Sequence, residues 1–155
     1  MAVEIERKFL VDEQRLRGLE FFSEEKISQG YLSREPTIRV RLTGCRACLT
    51  IKSATVGIER QEFEYEIPRA DAEELLRLCG QRVLEKCRRK ISYGGHVWEV
   101  DFFAGRHAGL IVAEVELSSP DEPLSLPDWV TQEVSDDPRY FNSNLVVSGC
   151  LGFGF

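Results

Sequence analysis

A series of short stretches in this sequence carries ionisable residues two positions apart or singly within an alternating run. They are Glu4-x-Glu6-x-Lys8, Arg39-x-Arg41, Lys52 at the end of Leu-Thr-Ile-Lys, Glu62-x-Glu64, Lys86-x-Arg88-x-Lys90, Asp101 and Glu114-x-Glu116. In an extended chain successive side chains point to opposite faces, so each set stands in one row. Rows of carboxylates are the donors a hard cation takes. Rows of Lys and Arg suit oxyanions, with Arg able to make two-point contacts. The bland alternative is a set of ordinary sheet faces turned to water.

The distribution of sign bears on that choice. Apart from the first stretch, each row is all acidic or all basic. Like unit charges about 4 Å apart repel by roughly 4 kcal/mol at an effective dielectric of about 20, so such rows need neutralising neighbours or a charged ligand. Basic and acidic rows together suggest a metal–polyphosphate complex. Alternation does not say which face is inside. A sandwich with charged rows in water and a sheet closed on itself with charged rows lining a lumen both remain open.

The elements that must carry these rows are short. Val3–Val11 reads as a strand, followed by a short helix within 12–20. Further strands are expected over 28–33, 38–43, 48–52, 59–67, 83–93, 97–102 and 110–117, with Gly94-Gly95 as a two-residue hairpin turn. Asp71-x-x-Glu74 resembles a capping box opening a helix that Gly80 ends. Beyond Pro120 the prolines exclude a central strand. A short helix at 127–130 and a helix start at Asp137-Pro138 are expected there. About eight short strands with brief links predict an antiparallel sheet or barrel.

With 155 residues, 43% of them hydrophobic and 30% charged, the chain reads as one globular domain spanning 1–155. No apolar run approaches the roughly 20 residues of a membrane span. Glu4 and Glu6 stand where a secretory signal would be basic and then apolar, so a cytoplasmic protein is expected. The net charge of −6 predicts no unspecific attraction to nucleic acid or to a membrane surface. Cys45, Cys48, Cys79, Cys87 and Cys150 are an odd set, against a disulfide framework. Cys45-Arg46-Ala47-Cys48 is read as a hairpin turn with free thiols, since no second Cys/His pair sits at zinc spacing. His96 and His107 are expected at the surface, and Ser33 and Cys48 are read as structural. Tyr31 is left between packing and substrate contact.

In their order along the chain, the rows resemble the signature of the CYTH, or triphosphate tunnel metalloenzyme, superfamily. The resemblance begins at Glu4-x-Glu6-x-Lys8 and runs through Glu114-x-Glu116 to the tail Asp137-Pro-Arg-Tyr-Phe-Asn-Ser-Asn-Leu145. It implies a mainly β fold with flanking helices, a closed eight-stranded antiparallel β-barrel forming a charged tunnel. It implies Mg2+ or Mn2+ and a triphosphate substrate, with inorganic tripolyphosphate favoured for a short bacterial member. On that basis Lys8, Arg39, Arg41, Lys52, Lys86 and Arg88 would bind phosphate oxygens, and Glu4, Glu6, Glu114 and Glu116 would hold a cation. Glu62, Glu64 and Asp101 would support a second cation or orient the attacking water. Lys90 shares the parity of Lys86 and Arg88, and Glu66 and Glu99 match the acidic rows. An organic triphosphatase, a class IV adenylate cyclase-like enzyme and a non-catalytic polyphosphate-binding module stay as alternatives. A homodimer is an option if few helices cover the outer apolar rows.

Overall fold

The structure is a computed structural model that describes residues 3–148; Cys150 lies outside them. Its strands are β1 (Val3–Val11), β2 (Ser23–Arg34), β3 (Thr37–Thr43), β4 (Arg46–Lys52), β5 (Glu59–Glu66), β6 (Val83–Tyr93), β7 (His96–Phe103), β8 (Ile111–Glu116) and β9 (Val130–Glu133). The helices are α1 (Glu13–Leu16), α2 (Arg69–Cys79) and α3 (Asn142–Ser148). All strand pairings are antiparallel, in the order β5-β4-β3-β2-β6-β7-β8-β1. Pairing of Val3–Ile5 with Glu59–Gln61 joins β1 back to β5. Eight strands therefore form a closed barrel, as expected, and the open sandwich is excluded. Closure puts one parity of every strand inside, and the charged rows are that parity.

At one end of the bore the inward rows turn apolar. Leu10, Leu84, Phe103 and Val112 pack there with Val134, Tyr140, Leu145 and Val146 from the chain beyond β9. Outside, Ile5, Phe9, Trp98, Val100, Ala113 and Val115 are covered by Leu16 of α1 and by Leu117 and Trp129. The Trp98 ring lies 5.5 Å from both Phe9 and Trp129, tilted on the first and edge-on to the second. α2 covers β2 to β4 through Ala72, Leu75, Leu76 and Cys79. It sits so close that a Cβ on Gly30 would meet Cys79 Sγ at 2.7 Å. The outer face of β5 stays open, with Phe63 40% and Tyr65 55% exposed.

Several local expectations are corrected. The expected helix at 127–130 is instead a turn leading into a ninth strand, because the edge of β1 at Phe9 and Val11 is free to pair with Glu133 and Val130. Pro127 thus precedes an edge strand, where a proline does no harm. The strand expected over 28–33 begins at Ser23, since polar Ser23–Lys26 pairs with β6 without needing an apolar face. The helix within 12–20 is one turn, capped by the Asp12 carboxylate accepting from the Gln14 amide. No capping box forms in α2. That helix starts directly after Pro68, which places Asp71 inside the first turn. Gly80 ends it at φ 61°, and Gly94 and Gly95 at φ 59° and 81° make the expected tight hairpin. The 138–140 turn is 3-10, with the Asp137 carboxylate accepting from the Arg139 amide.

His107 is also corrected: it is 1% exposed rather than at the surface, sealed under the chain near Leu145, and burial depresses its imidazole pKa. His96 is half-buried and bonded to Glu122.

Candidate active site

The bore is lined by Glu4, Glu6 and Lys8 of β1, Gln29 and Tyr31 of β2, and Thr37, Arg39 and Arg41 of β3. Lys52 of β4, Arg60 of β5, Lys86 and Arg88 of β6 and Glu114 of β8 complete the strand walls. Ser135, Phe141, Asn142 and Ser143 close in from the C-terminal chain. Every sequence-predicted phosphate contact is thus on this wall.

Most of the cations have acidic partners. Lys52 Nζ lies 3.0 Å from Glu4 Oε2 and 3.3 Å from Glu62 Oε2, and Arg60 Nε donates to Glu4 Oε1 at 3.0 Å. Burial alone would raise the Glu4 carboxyl, but Lys52 and Arg60 hold it down at about 2. Lys8 Nζ donates to the Tyr140 carbonyl at 3.2 Å and sits 3.7 Å from Glu114. Lys86 Nζ is 2.7 Å from Asp101 Oδ2 and donates to Asn142 Oδ1 at 2.8 Å. Arg88 forks onto Asp101 at 2.7 and 2.9 Å and reaches Glu99 at 3.2 Å.

Arg39 and Arg41 differ. Among the described residues neither has a carboxylate within ion-pair distance. Arg39 Nη2 donates to Thr50 Oγ1 at 3.3 Å, while its buried Nε has no partner. Arg41 Nε and Nη2 both donate to Gln29 Oε1, at 3.0 and 2.8 Å. Burial pushes the Arg41 guanidinium down to about 10, and neighbouring Arg39 and Arg88 push the same way. A buried Arg39 and a half-buried Arg41 side by side, with no carboxylate paired to either among the described residues, make an arrangement suited to an anion.

The acidic residues divide. Burial, then Glu114 and Glu4, raise the Glu6 carboxyl well above its ordinary value. Burial would raise Glu114 too, but Lys8, Arg88 and Lys86 outweigh it and hold that carboxyl well below. Glu116 stands opposite Glu6 across β1 and β8 but is exposed at the rim, raised by burial and by Glu4, Glu62 and Glu99. Glu62 is half-buried beside Lys52, and Glu64 is exposed. Asp101 is 0% exposed with both oxygens held by Arg88 and Lys86. Lys90 pairs with Glu99 across β6 and β7, outside the lined bore.

Among the described residues no group of three or more acidic, His or Cys side chains is spaced as a ready metal cage. Mg2+ needs no such cage, since it commonly takes one or two carboxylates and shares its other positions with waters and substrate phosphates. Glu114 and Glu4 crowd the Glu6 carboxyl and, after burial, raise it, a repulsion that a hard cation between them would relieve. The donor set fits.

Sequence reasoning missed Gln29, Arg60 and Asn142 on the wall. Gln29 and Arg60 share the inward parity of Tyr31 and Glu62, a signal that was present. Tyr31 is on the wall, its hydroxyl accepting from Gln29 Nε2 at 2.9 Å. Ser33 donates to the Pro36 carbonyl at 2.7 Å. Cys45 and Cys48 are free thiols, and burial, then Glu64, raises the Cys48 thiol.

A closed barrel lined by Lys and Arg side chains beside crowded carboxylates defines a charged tunnel whose lining suits anions. The CYTH domain profile matches residues 2–142, and the chain belongs to the CYTH family. That membership implies a divalent metal cofactor. The chain is 42% identical over 149 residues to an inorganic triphosphatase of Acetivibrio thermocellus, covering 94% of each chain. It is 36% identical over 155 residues to an inorganic triphosphatase of Nitrosomonas europaea, covering 94% of this chain and 97% of that one. A crystal structure of an inorganic triphosphatase superposes with a TM-score of 0.67 at 33% identity, covering 96% of this chain and 97% of the other. The barrel alone does not fix chemistry: a chain from the Schizosaccharomyces pombe Mediator head module shares the fold at a TM-score of 0.55 and 7% identity, covering 79% of this chain and 86% of that one.

Proposed function

We propose that this chain hydrolyses inorganic tripolyphosphate to pyrophosphate and phosphate with a divalent cation, Mg2+ or Mn2+. The observation that carries the reading is the pair Arg39 and Arg41, the first buried and the second half-buried, which among the described residues have no carboxylate partner in a bore where Lys8, Lys52, Lys86 and Arg88 have one. A compact polyanion supplies the missing charge. Arg39, Arg41, Lys8, Lys52, Lys86 and Arg88 grip its non-bridging oxygens and hold a terminal phosphorus in line for water. The P–O bond to water forms as the P–O bond to the departing pyrophosphate breaks.

Glu6 and Glu114, with Glu4 and Glu116 behind them, would hold the cation, which when bound supplies Lewis-acid charge and a more acidic water. Glu62 and Glu64 lie toward the rim and are assigned to a second cation or the attacking water. Asp101, whose oxygens are already engaged, is assigned to positioning Lys86 and Arg88. The whole chain is read as one such domain working in the cytoplasm, without nucleic acid or membrane. In a homodimer, the open Phe63–Tyr65 face of β5 would be the surface to bury.

A second reading has its own observation. A cavity of about 570 Å³ lined by Arg34, Pro138, Phe141 and Asn144 adjoins the bore, sharing Thr37, Thr55, Arg60, Phe141 and Ser143 with it. It would take an organic group on a triphosphate. Phosphate release from tripolyphosphate, thiamine triphosphate and ATP, with Mg2+, with Mn2+ and with chelator, separates the readings. Tripolyphosphate hydrolysis that requires metal and is lost in Glu4→Gln and Lys8→Ala is expected. Activity that survives chelation sinks the proposal, and cyclic AMP from ATP redirects it to a cyclase.

A further inference from the structure

Lys8, Lys52, Lys86 and Arg88 are each oriented by a carboxylate, but Arg41 is oriented by a neutral amide. Gln29 is 0% exposed and stands directly opposite Arg41 across β2 and β3. Its Oε1 accepts from two guanidinium nitrogens, and its Nε2 donates to the Tyr31 hydroxyl at 2.9 Å and to Asn142 Oδ1 at 3.1 Å. Asn142 Oδ1 in turn accepts from Lys86. Chemistry fixes the amide's orientation. A guanidinium only donates, so the oxygen must face Arg41 and the NH2 group must face the two acceptors.

We infer that Gln29 is a positioning residue that aims the Arg41 guanidinium into the bore while leaving its charge available to the substrate. This rests on the tunnel being a polyphosphate site and adds a role for a residue outside the charged rows. The physical point is the neutrality of the acceptor. A carboxylate at the same place would hold Arg41 equally well but would satisfy its charge, and in a low-dielectric bore a phosphate would then have to compete with it. An apolar side chain of the same length would leave the charge free but the guanidinium unaimed. An amide does both jobs, and its second end locks it to Tyr31 and Asn142.

The test is calorimetric binding of sodium tripolyphosphate with chelator present, beside thermal melting of each variant. Gln29→Glu gives the half-buried guanidinium a counter-charge in place of the two bonds the amide donated to Tyr31 and Asn142, so it is expected to melt near the wild-type temperature yet to bind at least about tenfold more weakly. Gln29→Met is expected to bind several-fold more weakly, and to change nothing further in an Arg41→Ala background. A purely structural role predicts the opposite pattern, with lower melting temperatures and unchanged affinity in the folded fraction. If Gln29→Glu does not fold, Gln29→Met alone and with Arg41→Ala carries the test. Wild-type affinity in either folded Gln29 variant, or a Gln29→Met loss that persists without Arg41, overturns the inference. Failure of the wild-type protein itself to bind tripolyphosphate, with chelator and with Mg2+ alike, overturns the reading of the tunnel instead.

Discussion

Lys86 Nζ and Asp101 Oδ2 lie 2.7 Å apart with both side chains sealed from solvent, and the same carboxylate grips Arg88 at 2.7 and 2.9 Å. One anion therefore anchors two cations of the bore. Burial alone would raise the Asp101 carboxyl, but Arg88 and Lys86 hold it below its ordinary value. Asp101→Asn leaves two buried cations short of charge and is expected to cost about 3–5 kcal/mol. Denaturant unfolding checks it, and a loss under about 1 kcal/mol would count against the anchoring role.

Burial pushes the Lys86 ammonium from 10.5 down to about 7 despite Asp101, with Arg88 and Arg41 adding to the depression. Between pH 7 and 10.5 the unfolded chain holds a proton at Lys86 that the folded protein does not. The contribution of Lys86 to stability therefore rises with pH across that window, and its penalty is fully present below it. A bound polyanion favours the charged form, so tripolyphosphate binding should take up a proton and weaken as pH rises above about 7. Calorimetry in buffers of different ionisation enthalpy measures this uptake. A Lys86→Met variant with the wild-type pH profile would refute it.

Glu6 presents the reverse sign. Burial, Glu114 and Glu4 raise its carboxyl, so above pH 4.5 the folded protein holds a proton the unfolded chain has lost. Its contribution to stability falls as pH rises through that raised value. A divalent cation relieves the same crowding. At neutral pH without metal, Glu6→Gln should melt no lower than wild type, while the rise in melting temperature on adding Mg2+ or Mn2+ should shrink. An undiminished metal-induced rise in Glu6→Gln would remove Glu6 from the cation site.

The outer face supplies a control. Trp129 closes edge-on against Trp98, which packs on Phe9, all on the side of the wall away from the bore. Trp129→Ala should cost about 3–5 kcal/mol through the cavity it leaves, with tripolyphosphate affinity unchanged in the folded protein. Weakened binding of comparable size would show that the outer layer shapes the bore.

Much of the frame was legible because alternation is a local property. Ile38 to Leu42 and Glu62 to Glu66 declare their strands without reference to anything distant. Ser23 to Lys26 did not, since a polar segment becomes strand only when β6 is there to pair with it. Val130 to Glu133 likewise depends on the free edge of β1. His107 and Gln29 are buried by neighbours remote in the chain, and neither residue type announces that.

The sequence by itself determined which charged side chains share a row, because side-chain direction along a strand has a period of two whatever the surroundings. Tertiary structure alone decided that those rows face inward, since period has no inside until Val3–Ile5 meets Glu59–Gln61 and closes the barrel. It also decided which charges are spent and which are free. Lys52 finds Glu4 and Arg88 finds Asp101, while among the described residues Arg39 and Arg41 find the neutral side chains of Thr50 and Gln29. Coulomb interaction depends on distance through space, and no spacing along the chain records it.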